Sequence, residues 1–184
     1  MDEQTALGVV PVEARGSLPF ALVHGESLVA AASWALSTAG VQIIDATTSY
    51  DAVRDSGEVL VVHDPLCPLT PVMFVEEALD LCTRSGAVVV GVRPVTDTVK
   101  EGSGEQLGRT HPREELMVVA SPVVLPPAVV AALDGVETDD LAVWVAGLAE
   151  RFPVRYLEAP PLARRITSVE DLAVLEALSR AARG

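Results

Sequence analysis

Aromatic side chains make up only 4% of this 184-residue chain, cysteine occurs twice, histidine three times and lysine once, at Lys100. Neither Cys67 and Cys82 nor His24, His63 and His111 shows metal-ligand spacing, so no zinc site is expected. Cys82 falls on the apolar stripe Val75–Ala78–Leu79–Cys82 and reads as a small buried hydrophobe. Long apolar runs are missing as well: stretches such as Ala87–Val92 are far short of the roughly 20 residues that cross a bilayer. The segment Met1–Thr5 is acidic and polar, unlike a signal peptide, which predicts a cytoplasmic protein with no membrane partner. Basic residues number 13 against 26 acidic ones, a net charge of −13. Such a field repels nucleic acid, and the sole close basic pair of note is Arg164–Arg165. The acidity itself reads as ordinary solubility.

What is present is small and aliphatic. The hydrophobic 49% is mostly Val, Ala and Leu, a composition that suits a mostly parallel sheet covered by Ala-rich helices. The length fits one domain, residues 1–184, with no linker or internal repeat. Strands are expected at Ala6–Val12, Val41–Ile44, Val59–Val62, Ala87–Val92, Leu116–Ala120 and Val154–Leu157. Helices are expected from Ser27 to Thr38, Val72 to Arg84 and Pro127 to Leu133. Thr138 is the expected cap of a further helix with Asp139 and Asp140 in its first turn and Leu141, Val145 and Leu148 buried. The pattern Ser168-x-x-Asp171 resembles a capping box and opens a last helix with Leu172, Leu175 and Leu178 on one face. Trp34 and Trp144 read as packing residues on their helices.

Alternating strands and helices predict βαβ units, in which ligands bind beyond the carboxyl ends of the strands. That rule places Asp64, the loop after Val92 and the loop after Ala120 on one functional edge. His63 reads as a structural histidine. One polar insertion, residues 93–115, divides into Thr96–Glu101 and Glu105–Thr110 around a glycine-bearing turn, as a β-hairpin does; a surface loop is the other reading.

Three segments in order, Val59–Pro68 (VLVVHDPLCP), Val92–Lys100 (VRPVTDTVK) and Ala163–Ala177 (ARRITSVEDLAVLEA), resemble the 2-C-methyl-D-erythritol 4-phosphate cytidylyltransferases of isoprenoid precursor synthesis. The resemblance runs from about Gly57 to Ala182, with a weaker echo at Gly8–Pro11 and Leu18–Val29. It implies a three-layer α/β fold of nucleotidyltransferase (Rossmann-like) type with a protruding β-hairpin at 93–115. In the family this arm reaches a second subunit, so a homodimer is expected. The resemblance also implies that a phosphorylated small molecule meets Asp64, Thr98, Arg113, Ser121 and Arg165. Here Ser121 and Arg165 replace a threonine and a lysine.

The departures fall on the nucleotide side. Family members follow the first strand with a glycine-rich loop, an arginine and a lysine that cradle the triphosphate. This chain has Val12-Glu13-Ala14-Arg15-Gly16-Ser17-Leu18-Pro19, so only Gly16 and Arg15 remain of that cofactor-binding loop. A second nucleotide-holding block is missing between Ile44 and Val59, and the family's loop arginine falls at Cys67. Losing one preorganised donor at such a site costs roughly 3 kcal/mol. The chain thus reads as a truncated, divergent member with weak or no CTP-dependent activity. Two alternatives stay open: a nucleotidyltransferase with altered substrates, and a non-catalytic binding or regulatory partner. If active, Asp64, Arg165 and Arg15 are the catalytic candidates, with Mg²⁺ held at Asp64. Arg15 is either a partial substitute for the lost loop or a solvated loop residue.

Overall fold

A computed structural model describes residues 6–45, 47–95, 99–103, 106–112 and 116–182. Its strands are β1 (Ala6–Val9), β2 (Leu22–Val23), β3 (Glu26–Ser27), β4 (Val41–Ile43), β5 (Leu60–Val62), β6 (Val88–Pro94), β7 (Val99–Ser103), β8 (Gln106–His111), β9 (Met117–Leu125) and β10 (Val154–Glu158). The helices are α1 (Leu28–Thr38), α2 (Tyr50–Ser56), α3 (Val72–Ser85), α4 (Pro127–Ala131), α5 (Leu141–Arg151) and α6 (Val169–Ala181). Six strands form one sheet in the order β10-β6-β9-β5-β1-β4. Strand β9 is antiparallel to both its neighbours, and the other pairings are parallel. The mostly parallel α/β class expected from composition is therefore present.

Period-two alternation along the strands sorts the core into two faces. Val59 and Val61 pack with Val89, Val124 and the α1 and α3 residues Leu36, Val75, Ala78 and Cys82. Leu60 and Val62 point the other way, joining Val88, Val90, Val123 and Leu125 against Val53 of α2, Val129 of α4 and Trp144 and Val145 of α5. Helices on both faces of one sheet make the three layers. A smaller cluster of Leu28, Leu66, Ile166, Leu172 and Leu175 fastens α6 to the loop after β5.

Local chemistry fixes the helix ends. The Ser27 hydroxyl accepts from Ala30 N–H, and Ser168 Oγ accepts from Asp171 N–H, so both expected caps form. The Asp171 carboxylate makes its short hydrogen bonds to Thr167 N–H and Oγ1, one residue before the cap, and the Ser168 N–H adds a weaker pull on it. At α5 the cap is Asp140, not Thr138: its Oδ1 accepts from Ala142 and Val143 N–H, and a carboxylate is the better partner for these positive donors. One packing expectation fails: Trp34 is 66% exposed, whereas Trp144 is buried as expected; on the α6 face Leu172 and Leu175 are buried and Leu178 is 41% exposed.

The strand expected to end at Ala120 continues to Leu125, so no loop follows Ala120. Because β9 is antiparallel, its beginning, not its end, lies beside the carboxyl ends of β5 and β6. Along the β6–β9 pairing, Val90 faces Val123 and Val92 faces Val119, which leaves Ala120, Ser121 and Pro122 opposite Gly91 alone. A bulge of this kind tolerates Pro122, which has no N–H to give to the ladder. It also brings backbone close to Gly91, where an added Cβ would lie 3.0 Å from the Ser121 carbonyl oxygen. Among the described residues, β7 and β8 pair antiparallel; Thr96–Thr98 and Glu105 of the expected halves lie outside them. Gly91→Ala is expected to lower stability by about 1–3 kcal/mol through crowding of this bulge. Urea denaturation checks it; an unchanged midpoint would show that the two strands part freely.

Candidate functional site

Strand β5 carries His63 and Asp64 out at its carboxyl end. His63 N–H still donates to the Val9 carbonyl at 3.0 Å, which keeps the chain paired with β1 up to the site. Beyond it, Cys67 N–H donates to the Asp64 carbonyl at 2.9 Å, and Ile166 N–H donates to the Leu66 carbonyl at 2.8 Å. The β5 loop and the segment carrying Arg165 are thus tied backbone to backbone.

Asp64 is buried and both its oxygens are engaged. Oδ1 accepts from Arg15 Nε at 2.9 Å and from Leu66 N–H at 3.0 Å, while Oδ2 accepts from Arg165 Nε at 2.8 Å. Burial pushes the carboxyl upward, but the Arg165 and Leu66 hydrogen bonds and the charges of Arg15 and Arg165 outweigh it. The carboxyl is therefore held below its ordinary range. Arg15 is equally enclosed, with its side chain 2% exposed. Its Nη1 donates to the Glu13 carbonyl at 2.7 Å and its Nη2 to the Thr138 carbonyl at 2.8 Å. The solvated-loop reading of Arg15 is overturned: the guanidinium latches the β1 loop to β5 and to the segment before α5. Positive φ at Ala14 and Gly16 (59° and 58°) folds the loop tightly enough to do this.

Ser121 lies at the base of the site. Its Oγ accepts from Asp64 N–H at 2.8 Å and is hydrogen-bonded to His63 Nδ1. With the side chain fully buried, the hydroxyl positions Asp64 and His63 from beneath. His63 is buried too, and its Nε2 has no partner among the described residues. Burial drives the imidazole pKa down to about 4, against a smaller opposing pull from Asp64. A neutral, enclosed ring fits the structural reading. Cys67, at the position of the family's arginine, is buried and its thiol is pushed upward by burial, so it supplies neither cation nor nucleophile.

Above these groups lies a cavity of about 340 Å³ lined by Arg15, Asp64, Arg165, Asp139 and Asp140 among others. The structure thus brings Asp64, Arg165 and Arg15 together, with Ser121 under them. Gly16 stands nearby in sequence as a turn residue, with nothing within 4 Å of a built Cβ. Thr98 and Arg113 lie outside the described residues. Asp64 suits a magnesium ion poorly, since a metal oxygen ligand has to be free of competing cations and both of its oxygens meet a guanidinium. Sequence reasoning did not single out the Glu13 and Thr138 carbonyls that hold Arg15, because backbone acceptors leave no residue-type signal.

The chain is 35% identical over 127 residues to 2-C-methyl-D-erythritol 4-phosphate cytidylyltransferase of Thermus thermophilus, covering 66% of this chain and 58% of that protein. The same-named protein of Rhodococcus jostii is 34% identical over 147 residues, 76% of this chain and 62% of its own length. The crystal structure of the Thermus thermophilus protein superposes with a TM-score of 0.68 at 26% identity, over 96% of this chain and 98% of that one. This chain resembles the 2-C-methyl-D-erythritol 4-phosphate cytidylyltransferases. A 4-diphosphocytidyl-2C-methyl-D-erythritol synthase of Anaerococcus prevotii shares the fold at 14% identity, with a TM-score of 0.69 over 96% of each chain. No family model matches the chain. Sequence likeness to these cytidylyltransferases spans about six-tenths of their length, while likeness of fold extends further.

The buried imidazole generates a pH prediction. Its folded pKa of about 4 lies below the ordinary 6.5, so the unfolded chain takes up the proton first as pH falls. Stability is full above pH 6.5 and is lost progressively down to about pH 4, by about 2 kcal/mol between pH 7 and 5. Urea midpoints at these two pH values are expected to differ less in His63→Asn than in the natural chain. Equal differences in both would remove His63 as the cause.

Proposed function

We propose that this chain is a divergent cytidylyltransferase-like protein with weak or no CTP-dependent transfer, which keeps a surface for a small phosphorylated molecule. The observation that supports the reading is the commitment of Arg15. Nucleotidyl transfer relies on preorganised donors and cations around the leaving pyrophosphate. Arg15 is the sole arginine or lysine between β1 and α1. It is spent on Asp64 and on two backbone carbonyls instead of facing a ligand. Asp139 and Asp140 on the cavity wall add negative charge where a triphosphate needs positive. The Arg165 side, 37% exposed, is the more open one. Titration calorimetry with CTP and Mg²⁺ is expected to give no saturable heat. Transfer to methylerythritol phosphate is expected at least about a hundredfold below that of the Thermus thermophilus relative assayed alongside. Micromolar CTP binding with turnover would overturn this reading and restore the altered-substrate enzyme.

Self-association through the 93–115 segment is the second part of the proposal. Met117 and Val118, 55% and 50% exposed, leave an apolar edge at the start of β9, next to that segment in sequence. A second copy laid along this edge removes it from water. Light scattering at micromolar concentration is expected to give twice the 19.3 kDa chain mass. A monomer at that concentration would sink the dimer and the regulatory-partner reading with it.

A further inference from the structure

A concavity of about 730 Å³ opens between α1, the β2–β3 turn, the loop from Pro68 to Val72 and α6, and it shares no lining residue with the Asp64 cavity. Small and aliphatic side chains make most of its surface, Ala30 and Ala31 of α1 together with Leu69, Val72 and Leu162. Trp34 also lines it, with 66% of the residue exposed. An indole left in water on a concave apolar surface is contact area that a ligand can cover. One end of the concavity is polar and held in place. His24 N–H donates to Glu176 Oε1 at 2.8 Å, His24 Nε2 is hydrogen-bonded to Ser179 Oγ, and positive φ at His24 and Gly25 (51° and 89°) makes the turn tight. These contacts fasten the turn to α6, so this end is preformed. Glu26, just beyond the turn, is the only carboxylate among the described lining residues, and none of them is arginine or lysine. Its carboxylate makes neither a hydrogen bond nor an ion pair among the described residues.

We propose that this concavity binds a small arylalkylamine, with its ammonium at Glu26 and its ring against Trp34. Charge selects the head group. The amino end of α1 carries about half a positive charge and offsets Glu26 only in part. Behind the turn, the Glu176 carboxylate is answered by Arg180, whose Nη2 lies 3.8 Å from Oε2. The balance at this end is therefore negative, and an anionic head group meets no arginine or lysine on the described wall. The net charge of −13 draws cations toward the surface as well. Geometry selects the body. From Leu28 to Trp34 the helix rises about 9 Å, a distance that an extended chain of about four carbons and a ring can span. The alanines between them leave room for that chain, and offset stacking on the indole covers the ring. The inference concerns a different face from the Asp64 site and does not depend on the loss of CTP transfer.

The test compares three probes of one shape. The indole N–H resonances of Trp34 and Trp144 are followed in the natural chain while 4-phenylbutylamine, 4-phenylbutanol or 4-phenylbutyrate is added. Trp34 is expected to shift and the buried Trp144 to stay, with the amine binding tightest and the carboxylate weakest. Glu26→Gln is expected to weaken the amine by roughly threefold to tenfold and to leave the alcohol unchanged. Trp34→Ala, read from the amide resonances of Ala30 and Ala31, is expected to weaken amine and alcohol alike by roughly fivefold. Absence of a shift at Trp34, or a carboxylate that binds as tightly as the amine, overturns the proposal. So does unchanged amine affinity in Glu26→Gln, and so does an equal loss of amine and alcohol there, which would report a deformed pocket in place of a missing charge. A Trp34 resonance that moves when the protein alone is concentrated marks this face as a contact between copies and overturns the small-molecule assignment.

Discussion

A carboxylate held between two guanidiniums organises this molecule. Asp64 is nearly inaccessible to water, and so is Arg15. Neither charge is tolerable there without the other: breaking a buried pair by removing one member costs about 3–5 kcal/mol, because the survivor keeps its charge without its solvent. The pair also decides where backbone goes. Arg15 draws the β1 loop inward, fixes the segment before α5 through the Thr138 carbonyl, and leaves Arg165 as the exposed face of the same knot.

Much of the fold was legible in the chain because the signals are local. Val59–Val62 alternates across a sheet with helices on both sides, and Ser27 and Ser168 cap the helices that they precede. Where a competing local choice existed, the sequence was read wrongly. Thr138 and Asp140 both offer a cap, and electrostatics favours the carboxylate. Trp34 is a large apolar residue on a helix, but its burial depends on a facing layer that periodicity alone does not reveal. The strand was expected to end at Ala120, whereas the bulge opposite Gly91 lets it continue through Pro122 to Leu125.

The site was legible in its members and illegible in their state. Motif resemblance gathered Asp64, Arg165, Ser121 and Arg15, and the fold does bring these four together. It did not show that Arg15 is turned inward, since a side chain's direction depends on distant carbonyls that no motif encodes. Arg164 was legible only as half of a basic pair with Arg165, and nothing in the sequence placed Arg93, 71 positions earlier, beside it.

The bulged pairing of β6 with β9 has a consequence for how this chain can change. Beyond Pro94 the chain leaves the sheet from β6 and returns at Met117 in β9 beside it, and Val95 N–H closes the gap by donating to the Leu116 carbonyl at 3.2 Å. The base of the segment is therefore a fixed hinge line, sealed by the sheet itself. Lengthening, shortening or exchanging what lies beyond it alters no strand register and moves no core residue. Such a junction acts as a socket, through which one scaffold can be given different attachments without being refolded.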